Sequence, residues 1–110
     1  MAYNLLLAER LEDLTLGIKG LSHKKMFGGV SYLLNGNMAF GIWKDNLILR
    51  LGEPAAEEAL KKEHTVEFDI TGRSMKGWIM VEVVALEDDT VLETWFNQAL
   101  SFAKSLPSKY

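Results

Sequence analysis

Residues 24–51 decide the fold, and they read KKMFGGVSYLLNGNMAFGIWKDNLILRL. Apolar side chains alternate along three successive runs of this stretch, which is the period of a β-strand with one buried face. Asn35-Gly36 and Asp45-Asn46 separate the runs, and short turns of this kind join neighbouring antiparallel strands. The stretch therefore predicts an antiparallel meander of three strands. Its alternating apolar positions are Val30, Tyr32 and Leu34, then Met38, Phe40 and Ile42, then Leu47, Leu49 and Leu51.

The Gly28-Gly29 pair falls inside the first predicted strand, where glycine weakens a sheet. Such a pair indicates a β-bulge, or room for a helix to lie against the sheet. A functional alternative is a concave place where a ligand or a partner reaches the backbone. The sequence leaves both interpretations open.

The rest of the chain predicts three helices and two further strands. Apolar residues recur at helical spacing in the helices and alternate in the strands. A capping box at Thr90 and Glu93 is predicted to open the last helix. The elements are a helix from Asn4 to about Leu16, a helix from Pro54 to about Lys62, a strand containing Val66, Phe68 and Ile70, a strand from Trp78 to Val84, and a helix from about Thr90 to Pro107 with the apolar stripe Val91, Trp95, Ala99, Phe102 and Leu106.

The predicted order is α-β-β-β-α-β-β-α, which indicates an α+β fold with an antiparallel sheet of about five strands flanked by helices. At 110 residues the whole chain, 1–110, fits a single domain. Leu5 and Leu6 widen the apolar surface of the first helix beyond one stripe. Either this helix packs deeply against the sheet, or it contacts a second copy of the chain in a homodimer.

Composition limits the classes of function. The chain has no cysteine, which excludes disulfides, thiolate metal sites and cysteine nucleophiles, and is compatible with a cytoplasmic location. The sequence predicts neither a signal peptide nor a membrane span. Twelve basic residues against fifteen acidic ones give a net charge of −3, which disfavours direct binding of nucleic acid.

No catalytic, cofactor-binding or metal-binding residue is predicted. His23 has no His, Asp or Glu three or four residues further on, as a helical metal pair requires. His64 has Glu67 at that spacing, but Glu67 falls in a predicted strand, where the two side chains point to opposite faces. We therefore expect a protein without enzymatic activity.

One polar cluster remains as a candidate site. Arg73 and Lys76 flank Ser74 in a loop bounded by glycines, and Lys24 and Lys25 open the first predicted strand. If the sheet brings these cations together, they form a small basic patch that can hold a carboxylate or a phosphate. The alternative is that they pair with nearby acids or simply face solvent.

Two motifs resemble a known family. They are Met26-Phe27-Gly28-Gly29, within KKMFGGVSYLLNGNMAFGI, and Gly72-Arg73-Ser74-Met75-Lys76-Gly77, within TGRSMKGWIMVE. Followed by a helix that closes as ALSFAKSLP, they resemble the N-terminal domain family of TfoX/Sxy proteins over nearly the whole chain. The resemblance implies an α+β domain similar in topology to secretion-chaperone-like folds. It also implies transcription regulation of natural competence for DNA uptake, where founding members act with the cyclic-AMP receptor protein.

We expect an interaction domain that binds a protein partner. The alternative is a domain that binds a small molecule or an anion, or an enzyme, using the Gly28-Gly29 bend with Arg73 and Lys76. Met26 and Met75 lie in the two motifs and are candidates to line a shared groove. The predicted partner- or anion-binding residues are Lys24, Lys25, Met26, Phe27, Gly28, Gly29, Arg73, Met75 and Lys76.

Overall fold

The computed structural model describes residues 3–26, 28–68 and 75–109. Within these ranges the chain forms an antiparallel sheet with three α-helices and one 3₁₀ helix, which confirms the predicted α+β fold. None of these helices is both long and apolar enough to cross a membrane. The elements are α1 (Leu5–Thr15), β1 (Leu21–Met26), β2 (Gly29–Leu34), β3 (Asn37–Trp43), β4 (Asn46–Arg50), α2 (Glu53–Ala59), β5 (Thr65–Glu67), β6 (Trp78–Glu82), the 3₁₀ helix (Val83–Leu86) and α3 (Asp89–Ser105).

The described strands are ordered β1-β2-β3-β4-β6-β5 across the sheet, and each neighbouring pair is antiparallel. Asn35 and Gly36, with φ of 51° and 86°, form the turn between β2 and β3 that the sequence predicts. Trp43 pairs with Asn46, so the next turn contains Lys44 and Asp45 and begins one residue earlier than predicted. Short turns therefore keep β2, β3 and β4 adjacent.

The predicted first strand, from Lys24 to Leu34 with the Gly28-Gly29 pair inside it, is a hairpin of two strands, β1 and β2, so the single strand and its predicted bulge are wrong. Met26 pairs with Gly29 as the last pair of the β1–β2 hairpin, and Gly28, with φ of 77°, lies in the connection. A Cβ atom on Gly29 would collide with the carbonyl oxygen of Ile42 in β3. The register of β2 against β3 shifts instead between Tyr32 and Leu33. The glycines therefore allow a tight hairpin whose second strand lies very close to β3.

The helices cover one face of the sheet. Leu7 and Leu11 of α1 are buried in the same core cluster as residues from α2, α3 and the strands. Fully buried Phe40 lies at the centre, stacked on Tyr32 at 4.7 Å and edge-on to Phe96 of α3 at 5.1 Å between ring centroids. Truncation of a buried phenylalanine costs about 3–5 kcal/mol, so this contact is a major part of the stability. The strand residues in the cluster include Val30, Tyr32, Phe40, Ile42, Leu47, Leu49, Ile79 and Val81.

The first helix is capped by Asn4 and is less deeply embedded than its composition suggests. The Leu7 N–H donates to Asn4 Oδ1 at 2.9 Å, and the Asn4 N–H donates to the Lys44 carbonyl at 2.9 Å. These bonds fix the start of α1 beside the β3–β4 turn. Leu5 and Leu6 remain 46% and 72% exposed, and the homodimer contact suggested for them stays a prediction.

The last helix begins near Thr90 as predicted, but it is rotated relative to the predicted one. Its first residue is Asp89 and its N-cap is Asp88, whose carboxylate accepts the Thr90 N–H at 2.7 Å, so the predicted capping box at Thr90 is wrong. Val91 is 39% exposed and does not join the buried face. The buried residues of α3 are Leu92, Trp95, Phe96, Ala99, Leu100 and Ala103.

The two predicted strands after α2 are shorter than their sequence patterns. Described β5 pairing covers Thr65 to Glu67, and Val66 is 41% exposed. Ile70 lies outside the described residues. The final strand ends at Glu82 because the chain turns into the 3₁₀ helix at Val83, which was predicted as part of the strand.

Candidate functional site

The structure separates the cations that the sequence placed in one patch. Lys24 lies on β1 at the edge of the sheet, and its row of paired residues runs through Ser31, Gly41 and Ile48 to Met80. That row crosses four strand-to-strand steps, which at about 4.8 Å each spans roughly 19 Å. Lys76 precedes Met80 by four residues, at the start of β6. Lys24 and Lys25 therefore share no patch with Lys76.

The other predicted site residues divide in the same way. Gly28 and Gly29 belong to the β1–β2 hairpin, and the backbone of Met26 ends β1. Met75 adjoins Lys76, and its N–H donates to the Phe68 carbonyl at 3.2 Å. Phe27 and Arg73 lie outside the described residues. The backbone of Met26 is separated from the start of β6, which Met75 precedes, by β2, β3 and β4.

Met75 and Lys76 lie at a corner where β4 ends, α2 begins and β6 begins. The N–H groups of Leu51 and Gly52 both donate to the Gly77 carbonyl, at 2.8 and 3.2 Å. Gly52 and Gly77 have φ of 86° and 87°, in the left-handed region that glycine adopts readily. These two glycines let the chain turn sharply on both sides of these hydrogen bonds, so the backbone segments at the corner lie close together.

Arg50 is held between two aromatic rings at this corner. Its guanidinium carbon lies 5.3 Å from the centroid of Trp78 and 5.8 Å from that of Phe102. Contacts of this length are cation–π interactions, and they orient the flat guanidinium before any partner arrives. A Cβ atom on Gly52 would lie 2.8 Å from Cε1 of Phe102, so glycine is needed there for the ring to pack. No described carboxylate forms an ion pair with Arg50.

Two shallow hollows of about 210 and 190 Å³ meet at the corner, and together we call them the corner groove. They share Glu53, Lys76, Gly77 and Trp78. Both are smaller than the roughly 300–1,000 Å³ of pockets that enclose small molecules. The residues that line the corner groove are Arg50, Gly52, Glu53, Ala56, Glu57, Leu60, Glu67, Met75, Lys76, Gly77, Trp78 and Phe102.

Charge is distributed unevenly along the corner groove. Glu57 and Glu67 belong to the larger hollow, where Ala56, Leu60 and Met75 supply apolar surface. Arg50 belongs to the smaller hollow. Glu53 and Lys76 border both hollows, so the groove combines an apolar floor with charges of both signs, which suits contact with a segment of mixed composition.

The two histidines lie away from the corner groove. His64 Nδ1 is 3.4 Å from Glu82 Oε1, at the opposite end of β6 from Trp78. His23 lies beside Tyr32, with ring centroids 5.9 Å apart. Across the described ranges, no group of three His, Asp or Glu side chains is arranged to hold a metal ion.

Tyr32 is the core residue whose pKa is displaced. Burial raises the pKa of its hydroxyl, and the nearby Glu12 and Tyr3 raise it further. All three effects disfavour the phenolate, so Tyr32 stays neutral well beyond physiological pH. Its ring is stacked on Phe40, so the role of Tyr32 is to pack in the core.

A further hollow of about 300 Å³ lies between α1 and α3. Arg10 crosses it, because its Nη2 donates to the Leu86 carbonyl at 2.6 Å and to Asp89 Oδ1 at 2.9 Å. Asp89 is largely exposed, so the ion pair adds little stability, while the carbonyl contact fixes the helix position. This arrangement joins two helices and leaves no cation unpaired in the hollow.

Sequence reasoning missed Arg50, Gly52 and Phe102 at the corner. Arg50 ends a strand, and Phe102 lies on a helix more than fifty residues away, so no short motif links them. Gly52 carried a weak signal, since a glycine shortly before Pro54 marks a turn into a helix. Only the folded chain brings the three together.

The fold and the corner define a small α+β domain with helices on one side of an antiparallel sheet. Residues 13–103 match the family described as the TfoX N-terminal domain. The match covers most of the sequence, and the chain belongs to this family. A search of curated proteins and a search of solved structures each found no match. The secretion-chaperone-like topology implied by the resemblance stays a prediction.

Proposed function

We propose that this chain is a non-enzymatic interaction domain that binds a protein partner in the corner groove. The observation that carries the proposal is the pre-oriented Arg50, stacked between Trp78 and Phe102 beside a shallow apolar surface. Arginine and tryptophan are enriched among the residues that supply most of the binding energy of an interface, and methionine is enriched at interfaces in general. Membership of the TfoX N-terminal domain family supports a regulatory role, with competence as the setting that the resemblance implies.

The shape of the corner groove favours a protein over a metabolite. Its hollows are shallow, and Met75 at the rim is 37% exposed. An enzyme site would need charged groups placed around an enclosed volume, whereas here the apolar floor lies open. A flat partner surface or a partner segment can cover such a floor and exclude water from it.

The arrangement of Arg50 lowers the cost of binding. A free arginine loses rotamer entropy when a partner immobilises it, at about 0.5–1.5 kcal/mol for each rotamer-rich side chain. Two rings already restrict this guanidinium, so part of that loss has occurred before binding. Lys76 borders the same hollow and adds a second, exposed cation.

Site-specific photo-crosslinking tests the proposal. A benzoylphenylalanine at position 75 in the groove is compared with one at position 16, because Met75 and Leu16 are both exposed apolar residues. In cells of the native host we expect one dominant protein adduct at position 75, reduced strongly by Lys76→Glu, and none at position 16. Equal adducts at both positions, or adducts unaffected by Lys76→Glu, would contradict the proposal.

A second candidate function is the binding of a small anion. It is favoured by Arg50, which has no described carboxylate partner, and by Lys76 nearby. An NMR titration with phosphate and with succinate separates the two functions. The interaction-domain proposal predicts chemical-shift changes only at anion concentrations far above physiological ones. Saturable chemical-shift changes at Arg50 and Trp78 at low anion concentration would favour anion binding instead. Turnover of a metabolite that disappears with Lys76→Glu would overturn the non-enzymatic assignment.

A further inference from the structure

We propose that the outer edge of β1 accepts an extended, acidic peptide segment as an additional antiparallel or parallel strand. This surface is separate from the corner groove. It is the place where the structure puts Lys24 and Lys25, and it does not depend on the function proposed for the groove.

The first observation is that this edge is open. β1 is the terminal strand of the described sheet and pairs only with β2. Its side chains from Ser22 to Lys25 are all exposed. In an edge strand, every second residue directs its backbone N–H and C=O groups outward, unpaired. These groups can bond a further strand, which is how many peptides are bound at sheet edges.

The second observation is a segregation of charge along the chain. Between Leu14 and Lys44 the sequence contains Lys19, Lys24, Lys25 and Lys44 and no Asp or Glu. Of the twelve basic residues, the remaining eight share the rest of the chain with all fifteen acidic residues. An acidic protein thus has one basic segment, and β1 forms its exposed edge.

The cations flank the open edge on both faces of the sheet. Lys24 pairs with Ser31 and Lys25 pairs with Val30, so the two side chains point to opposite faces. A strand added beside β1 also points its side chains alternately to both faces, and carboxylates along it would meet a lysine on either side. Lys25 is paired with Val30 of the core, so it lies on the helix-covered face, and Lys24 lies on the other face. On the helix-covered face, α1 brings Glu12 near enough to raise the pKa of Tyr32, so Lys24 has the less acidic surroundings.

The same charges argue against a second copy of this chain at the edge. Two β1 strands side by side would bring four lysines close together, and like charges that lie close together across strands destabilise a sheet. Lysine at an edge is a common protection against such self-pairing. Nucleic acid is a poor match as well, because single strands bind to exposed aromatic rings, and the described side chains of β1 from Leu21 to Lys25 present none beyond His23.

The test uses an eight-residue peptide with the repeat Val-Val-Glu-Glu, whose glutamates fall on both faces of a strand, followed by amide NMR of the labelled chain. We expect shifts concentrated in Leu21–Met26 and slowed hydrogen exchange at alternate amides of β1. The same peptide with lysine in place of glutamate should not bind. A version N-methylated at alternate residues keeps the charge and cannot complete the strand hydrogen bonds, so it should bind at least about tenfold more weakly.

Paired charge reversals supply the matched control. Lys24→Glu with Lys25→Glu should weaken the peptide about tenfold, since two attractive pairs become repulsive. Lys61→Glu with Lys62→Glu changes the net charge equally at another pair of adjacent lysines and should have less than about a threefold effect. Circular dichroism spectra and melting curves confirm that both variants fold.

Several outcomes would overturn the inference. Equal weakening by the two lysine pairs would show that only net charge matters, and full binding of the N-methylated peptide would show that no strand is added. Preferential binding of a single-stranded oligonucleotide at β1 would assign the edge to nucleic acid. Lys76→Glu should leave the peptide unaffected, so failure at this edge is distinguishable from failure at the corner groove.

Discussion

The β1 edge and the corner groove are built in different ways. The edge strand has a regular backbone and exposed lysines, and Gly28 and Gly29 lie where the hairpin joins it to β2. The corner is irregular backbone, with Gly52 and Gly77 at positive φ and Arg50 stacked on aromatic rings. The described parts of the two motifs therefore lie at different places on the sheet. One motif shapes a strand that can be extended, and the other borders a groove that can be covered.

Substitution of Gly29 should cause the largest loss of stability at the hairpin. In Gly29→Val the added atoms would meet the Ile42 carbonyl, and neither backbone can move without disrupting β2 or β3. We expect a loss of about 3 kcal/mol in the free energy of unfolding, measured by urea denaturation followed by circular dichroism. Gly17→Ala is the control, because its φ is 81° with no atom within 4 Å of the added methyl group, and it should cost only about 1 kcal/mol. Equal losses would mean that the hairpin is not tightly packed against β3.

Substitution of Gly52 should cause a smaller loss at the corner and should depend on Phe102. Gly52→Ala puts an alanine in the left-handed region and pushes the Phe102 ring. Together these effects should lower the free energy of unfolding by about 2 kcal/mol. In a Phe102→Ala background the ring contact is gone, and the same substitution should cost about 1 kcal/mol, which is the backbone strain alone. A double-mutant cycle from urea denaturation measures the difference. Strict additivity would show that Phe102 does not pack on Gly52.

The smallest expected effect is the alkaline dependence contributed by Tyr32 in β2. Because the pKa of Tyr32 is raised above its usual value of about 10, the native state holds this proton at a pH where the unfolded chain has lost it. Stability from this group is complete below about pH 10 and falls as the pH rises further. Urea denaturation between pH 9 and pH 11 should therefore show a steeper decline for the natural chain than for Tyr32→Phe. Parallel declines would contradict the claim that burial raises the pKa of the Tyr32 hydroxyl.

The sequence predicts well where local chemistry and one-sided burial act together. Asn35-Gly36 forms the predicted turn because few other residues tolerate positive φ at both positions. The sequence does not predict β1 as a separate strand, because an exposed edge strand, LSHKKM, shows no apolar alternation. The rotation of α3 escaped it because the helix carries two overlapping apolar stripes, and packing against Phe40 selects the one with Phe96.

The candidate site was only half predictable for a related reason. Met75 and Lys76 were identified from their motif, and they do border the corner groove. Their supposed neighbours Lys24 and Lys25 were assigned by residue type alone, and strand order decided otherwise. Arg50 and Phe102 meet through the end of β4 and the end of α3, which no local pattern encodes.

A distance between spin labels at positions 24 and 76 tests the separation of the two surfaces most directly. The chain has no native cysteine, and both lysines are exposed, so Lys24→Cys with Lys76→Cys can be labelled cleanly. Pulsed electron resonance should give about 20 Å or more, since four strand spacings and four residues along β6 lie between the positions. A distance near 10 Å would place both cations in one patch and contradict the division into edge and corner.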